Sequence, residues 1–496
     1  MATKTPKIKK IDEYLITLIA KNKFINLNNT KDKLVIISQI LIMDKIYSSL
    51  EKLANTNVLG YKNSTYENEF LSLETRSFNF SDEVLTLFEK IYSSHEIDKA
   101  LMDLKSGEIL NESENKSVSH LLLRNKPSSF LQKDLTRVKL LKDKLIKNDI
   151  KNIIILGTGG SYEGPKLLLE SLKSSSTENF NFIFITGSDE AEFLEKTKNL
   201  LPHETVFFIS SKSLTTIETL ESTKLAQNWL ESELQKDSKN NFFVITANEK
   251  KAKESFLEEN SYFFENSIGG RYSIWSIVSL PAILHFEEEF SEFQKGGSLV
   301  DNLIHEDEEF KTIVKKISFL DLWNNNLLDF KNRIILTYSW PSRSLPNYFQ
   351  QLEMESLGKS PALNSPFKNT CQSIFGGYGP KAQHSYFQQI HQGTSKYCID
   401  LISNKEDRLK NNLVSKQLKA QKMLFEKSPD EFKNTSKTVN ANALYNHFEL
   451  SKLNGFNLGF LIAFWEYRTF ISAKLLNINP FDQFGVEAGK KLTEEL

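Results

Sequence analysis

The chain has 496 residues, 40% of them hydrophobic and 25% charged, which is too long for one ordinary core and predicts two or three domains. A formal net charge of -1 excludes a global attraction to nucleic acid or to an anionic membrane, so any anion site has to be built locally. The start is polar and Lys-rich without a secretory pattern, the apolar stretch 458–465 is too short to span a bilayer, and Cys371 and Cys398 form neither a metal pattern nor a disulfide framework; together these predict a cytoplasmic protein with reduced thiols.

Residues 1–125 alternate Lys/Glu/Asn-rich stretches with amphipathic spacing, as at Leu34, Ile37, Leu41 and Ile42, and are expected to form a mainly helical segment without a phosphate-binding turn. A different rhythm begins near Asn152. Short, doubly apolar runs at 153–156, 181–186, 206–210 and 242–246 alternate with helix-compatible stretches, the pattern of a buried parallel sheet. After an acidic connector at 305–310 the rhythm restarts, with strands expected at 333–338 and 397–402 and helices at 345–357 and 384–392. A further apolar helix is expected at 272–280, and from 405 onward the chain reads mostly as helix. The divisions expected are 1–125, a first α/β domain at 126–304, a second domain core at 305–404, and a helical region at 405–496 that completes the second domain and the site.

Gly157-Thr158-Gly159-Gly160-Ser161 lies between a buried strand and a helix, where glycines admit an anion close to the backbone and the helix N-terminus supplies donors. It is not a dinucleotide fingerprint, since Tyr162 stands where a third Gly is needed, and not a P-loop, since Gly164 is followed by Pro165-Lys166. Taken alone it could be a plain strand–helix turn. Ser211-Lys212-Ser213-Leu214-Thr215-Thr216 follows the next buried run and opens another helix, so hydroxyls, backbone donors and one ammonium converge as a phosphate-monoester cradle. The alternative is an ordinary N-cap with Glu218 closing a capping box.

Further along stand Gly269-Gly270-Arg271-Tyr272-Ser273, then Gln351-Leu352-Glu353-Met354-Glu355-Ser356, then Gln383-His384-Ser385-Tyr386, and last the stretch from Phe481 through Asp482-Gln483 to Gly489-Lys490. Gln351 and Glu355 are one helical turn apart and share a face. Unaided, Glu355 could be a solvated helix carboxylate, Arg271 a capping or ion-paired residue, and Lys490 an exposed terminal lysine. His384 and His391 are seven apart, but no third ligand matches them, so no metal is expected.

In this order the six stretches resemble the phosphoglucose isomerase family, built from two sugar isomerase (SIS) domains. The resemblance implies an α/β fold of two doubly wound parallel-sheet SIS domains with helical N- and C-terminal segments. It implies reversible aldose–ketose isomerisation of glucose 6-phosphate and fructose 6-phosphate, in glycolysis and gluconeogenesis, with no metal or organic cofactor. Gly160, Ser161, Ser211, Lys212, Ser213, Thr215 and Thr216 would hold the phosphate, with Gly270 and Gln351 also binding substrate. Glu355 would transfer the proton, Arg271 would stabilise the enediolate, and His384 with Lys490 would open the sugar ring, leaving His391 structural. The resemblance also implies a homodimer in which one subunit lends His384 to the other's site. Mannose 6-phosphate as an alternative substrate, and a non-catalytic phosphosugar-binding regulator, are the competing readings.

The chain departs from the family pattern in places. Ser213 replaces a usual Thr and Leu214 a usual aromatic; Pro380-Lys381-Ala382 replaces Thr-Asn-Gly before Gln383-His384; and Leu357-Gly358 replaces Asn-Gly after Glu355-Ser356. The Gly-Asn-Arg-Pro-Ser stretch is not recognisable around 453–458. None of these changes removes a proposed catalytic side chain.

Overall fold

A computed structural model describes residues 30–496 apart from 57–59, 109, 126–128, 173–179, 235–237, 363–364, 434, 441–442 and 496. Residues 1–29 of the expected N-terminal segment therefore lie outside the described residues. After the helix Thr30–Ala54 comes a hairpin, β1 (Tyr61–Glu67) and β2 (Leu71–Phe78), where the composition predicts helix and loop. Alternate residues of β2 are buried, so this is a half-covered strand whose period of two is hidden among Ser, Thr, Glu and Arg.

The first sheet contains β3 (Asn152–Leu156), β4 (Asn181–Ile185), β5 (Thr205–Ser210), β6 (Phe242–Thr246) and β7 (Ser261–Phe263). All pairs are parallel, in the order β4-β3-β5-β6-β7. Ile153 and Ile155 pack into one apolar cluster, Ile154 and Leu156 into another. Both faces of β3 are therefore buried, which explains the unbroken apolar run. The strand order reverses direction at β3 and β5, and the loops leaving their carboxyl ends diverge there to leave a crevice.

The second sheet draws on distant parts of the chain. Its strands β8 (Asn332–Thr337), β9 (Ser373–Tyr378), β10 (Tyr397–Asn404) and β11 (Leu444–Leu450) are parallel, and the hairpin joins antiparallel to β11, giving β1-β2-β11-β10-β8-β9. Among the described residues the start and the end are mainly helical, as expected, and the strands β1, β2 and β11 are added within them. In β11 the polar Asn446 and His447 are buried because Asp400 and Ser403 of β10 satisfy them, at 2.7 and 2.8 Å.

Helices cover the sheets. Those used below are α1 (Gly160–Ser171), α2 (Ile217–Leu234), α3 (Leu280–Glu306), α4 (Glu308–Leu322), α5 (Leu345–Leu357), α6 (Gly455–Leu475) and α7 (Phe484–Glu495). The helix expected at 272–280 is instead two 3₁₀ turns, Gly270–Trp275 and Ile277–Ser279, leading into α3. The acidic connector shrinks to Asp307, which caps α4 by accepting from the Glu309 and Phe310 amides. α6 is buried almost all round, packed against α3, α4 and α5.

Two buried ionic clusters tie α6 to its surroundings. Arg468 binds Asp321 of α4 through Nε and Nη2, both at 2.7 Å, and Asp400 of β10 at 3.0 Å. Arg333 of β8 reaches Asp321 at 2.8 Å and pairs with Glu353 of α5, which also accepts the Trp465 indole N–H at 2.6 Å. Burial opposes ionisation of Asp321, yet the two guanidiniums hold its carboxyl below the usual range. In the other cluster Arg124 donates to Asp301 and to Glu466, and Trp275 donates to Glu466 at 2.7 Å. Removing one member of either cluster would leave a charge unpaired in the core.

Candidate active site

The glycine turn after β3 sits at the crevice. Gly159 has φ +59°, a left-handed conformation that suits glycine, and a methyl on Gly160 would overlap the carbonyl oxygen of Gly270. This close approach joins two of the sequence-predicted stretches. An ideal Cβ on Gly159 would lie 3.1 Å from Gln351 Nε2, so α5 arrives at the same place from the other sheet.

The cradle follows β5. Ser211 is nearly buried, and its Oγ accepts the Leu214 N–H at 3.2 Å while lying 3.3 Å from Thr216 Oγ1. Ser213 and Thr215 are exposed, their hydroxyls 2.5 Å apart. Leu214 is buried at φ +51°, a strained conformation for a leucine that turns the flanking hydroxyls outward. The first turn of α2 then presents backbone donors that have no intrahelical partner. Lys212 Nζ donates to the Ile268 carbonyl at 2.8 Å, which links the cradle to the segment leading into Gly270-Arg271. Burial, followed by the nearby Lys116 charge, lowers the Lys212 ammonium to about 8.

Arg271 is buried to 2% exposure and fixed at every nitrogen. Nε donates to Ser356 Oγ at 2.8 Å, Nη1 to Glu355 Oε2 and Gln483 Oε1 at 3.2 Å each, and Nη2 to the carbonyls of Pro480 and of Asp482, the latter at 3.1 Å. Tyr272 Oη lies 3.0 Å from the same Ser356 hydroxyl. Glu355 also accepts from Gln351 Nε2 at 3.1 Å, and its side chain remains 26% exposed. A solvent-accessible carboxylate is thus aimed by a permanently charged guanidinium and an amide. Pro346 in the first turn and Gly358 after the last residue frame α5, as the helix rules predict.

His384 differs. It lies in the turn between the short helix Gly379–Ala382 and the helix Phe387–Gln392, so the expected helix 384–392 begins three residues late and His384 and His391 do not share it. The His384 side chain is exposed and makes none of the contacts in the Glu355–Arg271 cluster. Pro380 accounts for the break, since it starts a helical turn after Tyr378 that ends at Ala382. His391 instead bonds Gln421 at 2.8 Å and stacks between Phe387 and Phe425, and burial lowers its imidazole below the usual range. Lys490 lies on α7, which begins directly after Gln483; its side chain is outside the described residues.

Ser356 and Gln483, whose side chains bond Arg271, carry no assigned role in the sequence reading. Both stand within the recognised stretches, but spacing alone does not tell which member of a stretch reaches Arg271.

Residues 76–496 match the sequence profile of the family described as Phosphoglucose isomerase. The chain belongs to the phosphoglucose isomerase family. A protein named glucose-6-phosphate isomerase from Shewanella putrefaciens is 30% identical over 494 residues, spanning 90% of this chain and 91% of that protein. One of the same name from Shewanella halifaxensis is 29% identical, spanning 91% and 92%. Among solved structures, a glucose-6-phosphate isomerase from Chlamydia trachomatis shares the fold with a TM-score of 0.79 at 22% identity, over 91% of this chain and 95% of that one. A hypothetical protein from Thermus thermophilus follows with a TM-score of 0.65 at 21% identity, over 83% and 97%. Within the phosphoglucose isomerase family this chain is an α/β aldose–ketose isomerase. No helix among the described residues is long and apolar enough to cross a membrane.

Proposed function

We propose that the chain interconverts glucose 6-phosphate and fructose 6-phosphate. The observation that carries this reading is the Glu355–Arg271 pair at 3.2 Å, which sets a base beside a fixed cation within reach of a hydroxyl-rich anion cradle. Gly160, Ser161, Ser211, Lys212, Ser213, Thr215 and Thr216 hold the phosphate of the substrate, and Gly270 and Gln351 line the path from it to the reacting carbons. His384 and Lys490 move the proton between the ring oxygen and the anomeric hydroxyl, opening the sugar. Glu355 then takes the proton from C2 as electron density moves onto the C1 oxygen, and Arg271 stabilises the enediolate that results. Return of that proton to C1, with transfer of the O2 proton to the C1 oxygen, completes the ketose. No electron leaves the sugar, so the step balances without an oxidant or reductant.

In this reading the protein is a cytoplasmic homodimer and the exposed His384 serves the site of a second copy. The phosphosugar is its small-molecule partner, and neither nucleic acid nor membrane takes part. A coupled assay on purified protein, with EDTA present, tests the reading: conversion of fructose 6-phosphate to glucose 6-phosphate is expected, and no conversion in either direction would refute it.

A further inference from the structure

Lys359 follows α5 by two residues and folds its side chain back along the helix end. Its Nζ donates to the carbonyl of Glu355 at 2.6 Å and to that of Ser356 at 3.0 Å, closing orphan acceptors in the last turn. The same ammonium stands 3.5 Å from Asp482 Oδ1, in the loop that leads into α7. Asp482 is itself pinned, its Oδ2 accepting from Ser113 at 2.6 Å and from Asn479 at 3.0 Å. Its backbone carbonyl, with that of Pro480, receives Arg271 Nη2, while the next residue, Gln483, meets Nη1.

The charged groups facing Lys359 are Arg271 from the 3₁₀ turn, Asp482 from the loop and Glu355 from the helix. A helix cap alone would need only the two carbonyls. The bridge to Asp482 adds a connection between the element that carries the base and the loop that both seats Arg271 and leads into the helix bearing Lys490.

We propose that Lys359 is a positioning residue for the isomerisation: it ties the carboxyl end of α5 to the Asn479–Gln483 loop, so that Glu355, Arg271 and α7 keep one relative placement. This rests on the reading of Glu355 and Arg271 given under Proposed function. Lys359 touches no reacting atom in this scheme. It acts through the backbone of Glu355 and through the loop.

The test compares full-length K359M, K359R and D482N with wild type, using kcat and KM on fructose 6-phosphate, calorimetric affinity for a non-isomerisable phosphosugar analogue, and thermal unfolding. K359M is expected to lower kcat by about tenfold or more, the scale of a displaced catalytic group, with analogue affinity nearly unchanged. K359R should recover most of that loss, because a guanidinium can span the same acceptors. D482N, nearly isosteric and safe for folding, should reproduce the defect in milder form even if K359M proves unstable. Wild-type kcat in D482N, or a K359M defect that K359R does not relieve, overturns the proposal. E355Q run alongside separates the two ideas: a fully active E355Q would sink the assignment of the base, whereas an inactive E355Q beside a fully active D482N would sink only the role of Lys359.

Discussion

The two ends of the site are built in opposite ways. The phosphate end comes from two short loops that leave neighbouring strands of one sheet, and its groups are hydroxyls, amides and a single lysine whose ammonium donates to a backbone carbonyl. The chemical end is assembled from the 3₁₀ turn at Arg271, the helix α5 and the loop before α7, and every nitrogen of its cation is occupied before substrate arrives. The first arrangement leaves a place for an incoming anion. The second fixes direction, so that charge forming on the substrate meets groups already in place.

If that contrast is real, variants at the two ends should move different kinetic constants. The largest effect is expected for Glu355→Gln, which should lower kcat by ~10²-fold or more, with phosphosugar affinity kept. Steady-state kinetics beside calorimetry check this; a rise in KM alone would place Glu355 in binding. Next comes the cradle. Ser211, Ser213 and Thr216 changed together to Ala should weaken phosphosugar binding by roughly 1 kcal/mol per lost charge-assisted bond, with the fold intact by circular dichroism. An equal fall in kcat would erase the distinction between the ends.

His384→Ala should slow turnover of cyclic glucose 6-phosphate far more than that of a phosphosugar that cannot cyclise, because only the former needs its ring opened. Equal losses on both substrates would assign His384 to substrate positioning instead.

The smallest effect is a pH dependence. Burial lowers both Lys212 and Lys359 from their ordinary range to about 8. Above that pH the charged forms are lost, so kcat/KM should decline by about fivefold between pH 8 and 9 for each group titrating singly. The stability contribution has the other sign. Between pH 8 and the unfolded lysine range the unfolded chain binds more protons than the folded one, so folding gains as pH rises through that window. Activity and the stability due to these two lysines should therefore separate on the alkaline side. A joint fall in kcat/KM and in melting temperature that K359R leaves unchanged would remove Lys359 from the explanation.

The contrast also explains what can be read from the sequence. β3 and β5 are apolar runs buried on both faces, and each is followed by its functional loop within a few residues, so local pattern suffices. The second sheet hides its strands. β9 reads Ser-Ile-Phe-Gly-Gly-Tyr, in which two glycines suggest a loop, and β11 keeps Asn446 and His447 inside by pairing them with residues of β10. Their strand character depends on partners far away in the chain. The same holds at the chemical end: Glu355 and Arg271 are legible through motif resemblance, while Gln483 and Lys359 become visible only when the loop before α7 is seen against α5. The turn at His384 escapes sequence reading because Pro380 reads as a departure within a loop and not as the start of a separate helical turn.

Glu353 and Glu355 sit two positions apart on α5, and so project on roughly opposite sides of its axis. Glu353 is buried against Arg333 and the Trp465 indole; Glu355 faces the crevice. Any roll of the helix large enough to swing Glu355 off Arg271 would have to pull Glu353 away from its partners and strand a charge in the interior. The angular setting of the base is thus inherited from a part of the molecule that substrate never reaches. Inactivating lesions should accordingly turn up at Arg333 and Trp465 as well as in the crevice, and they should look like aiming faults: protein folded, sugar bound, proton unmoved.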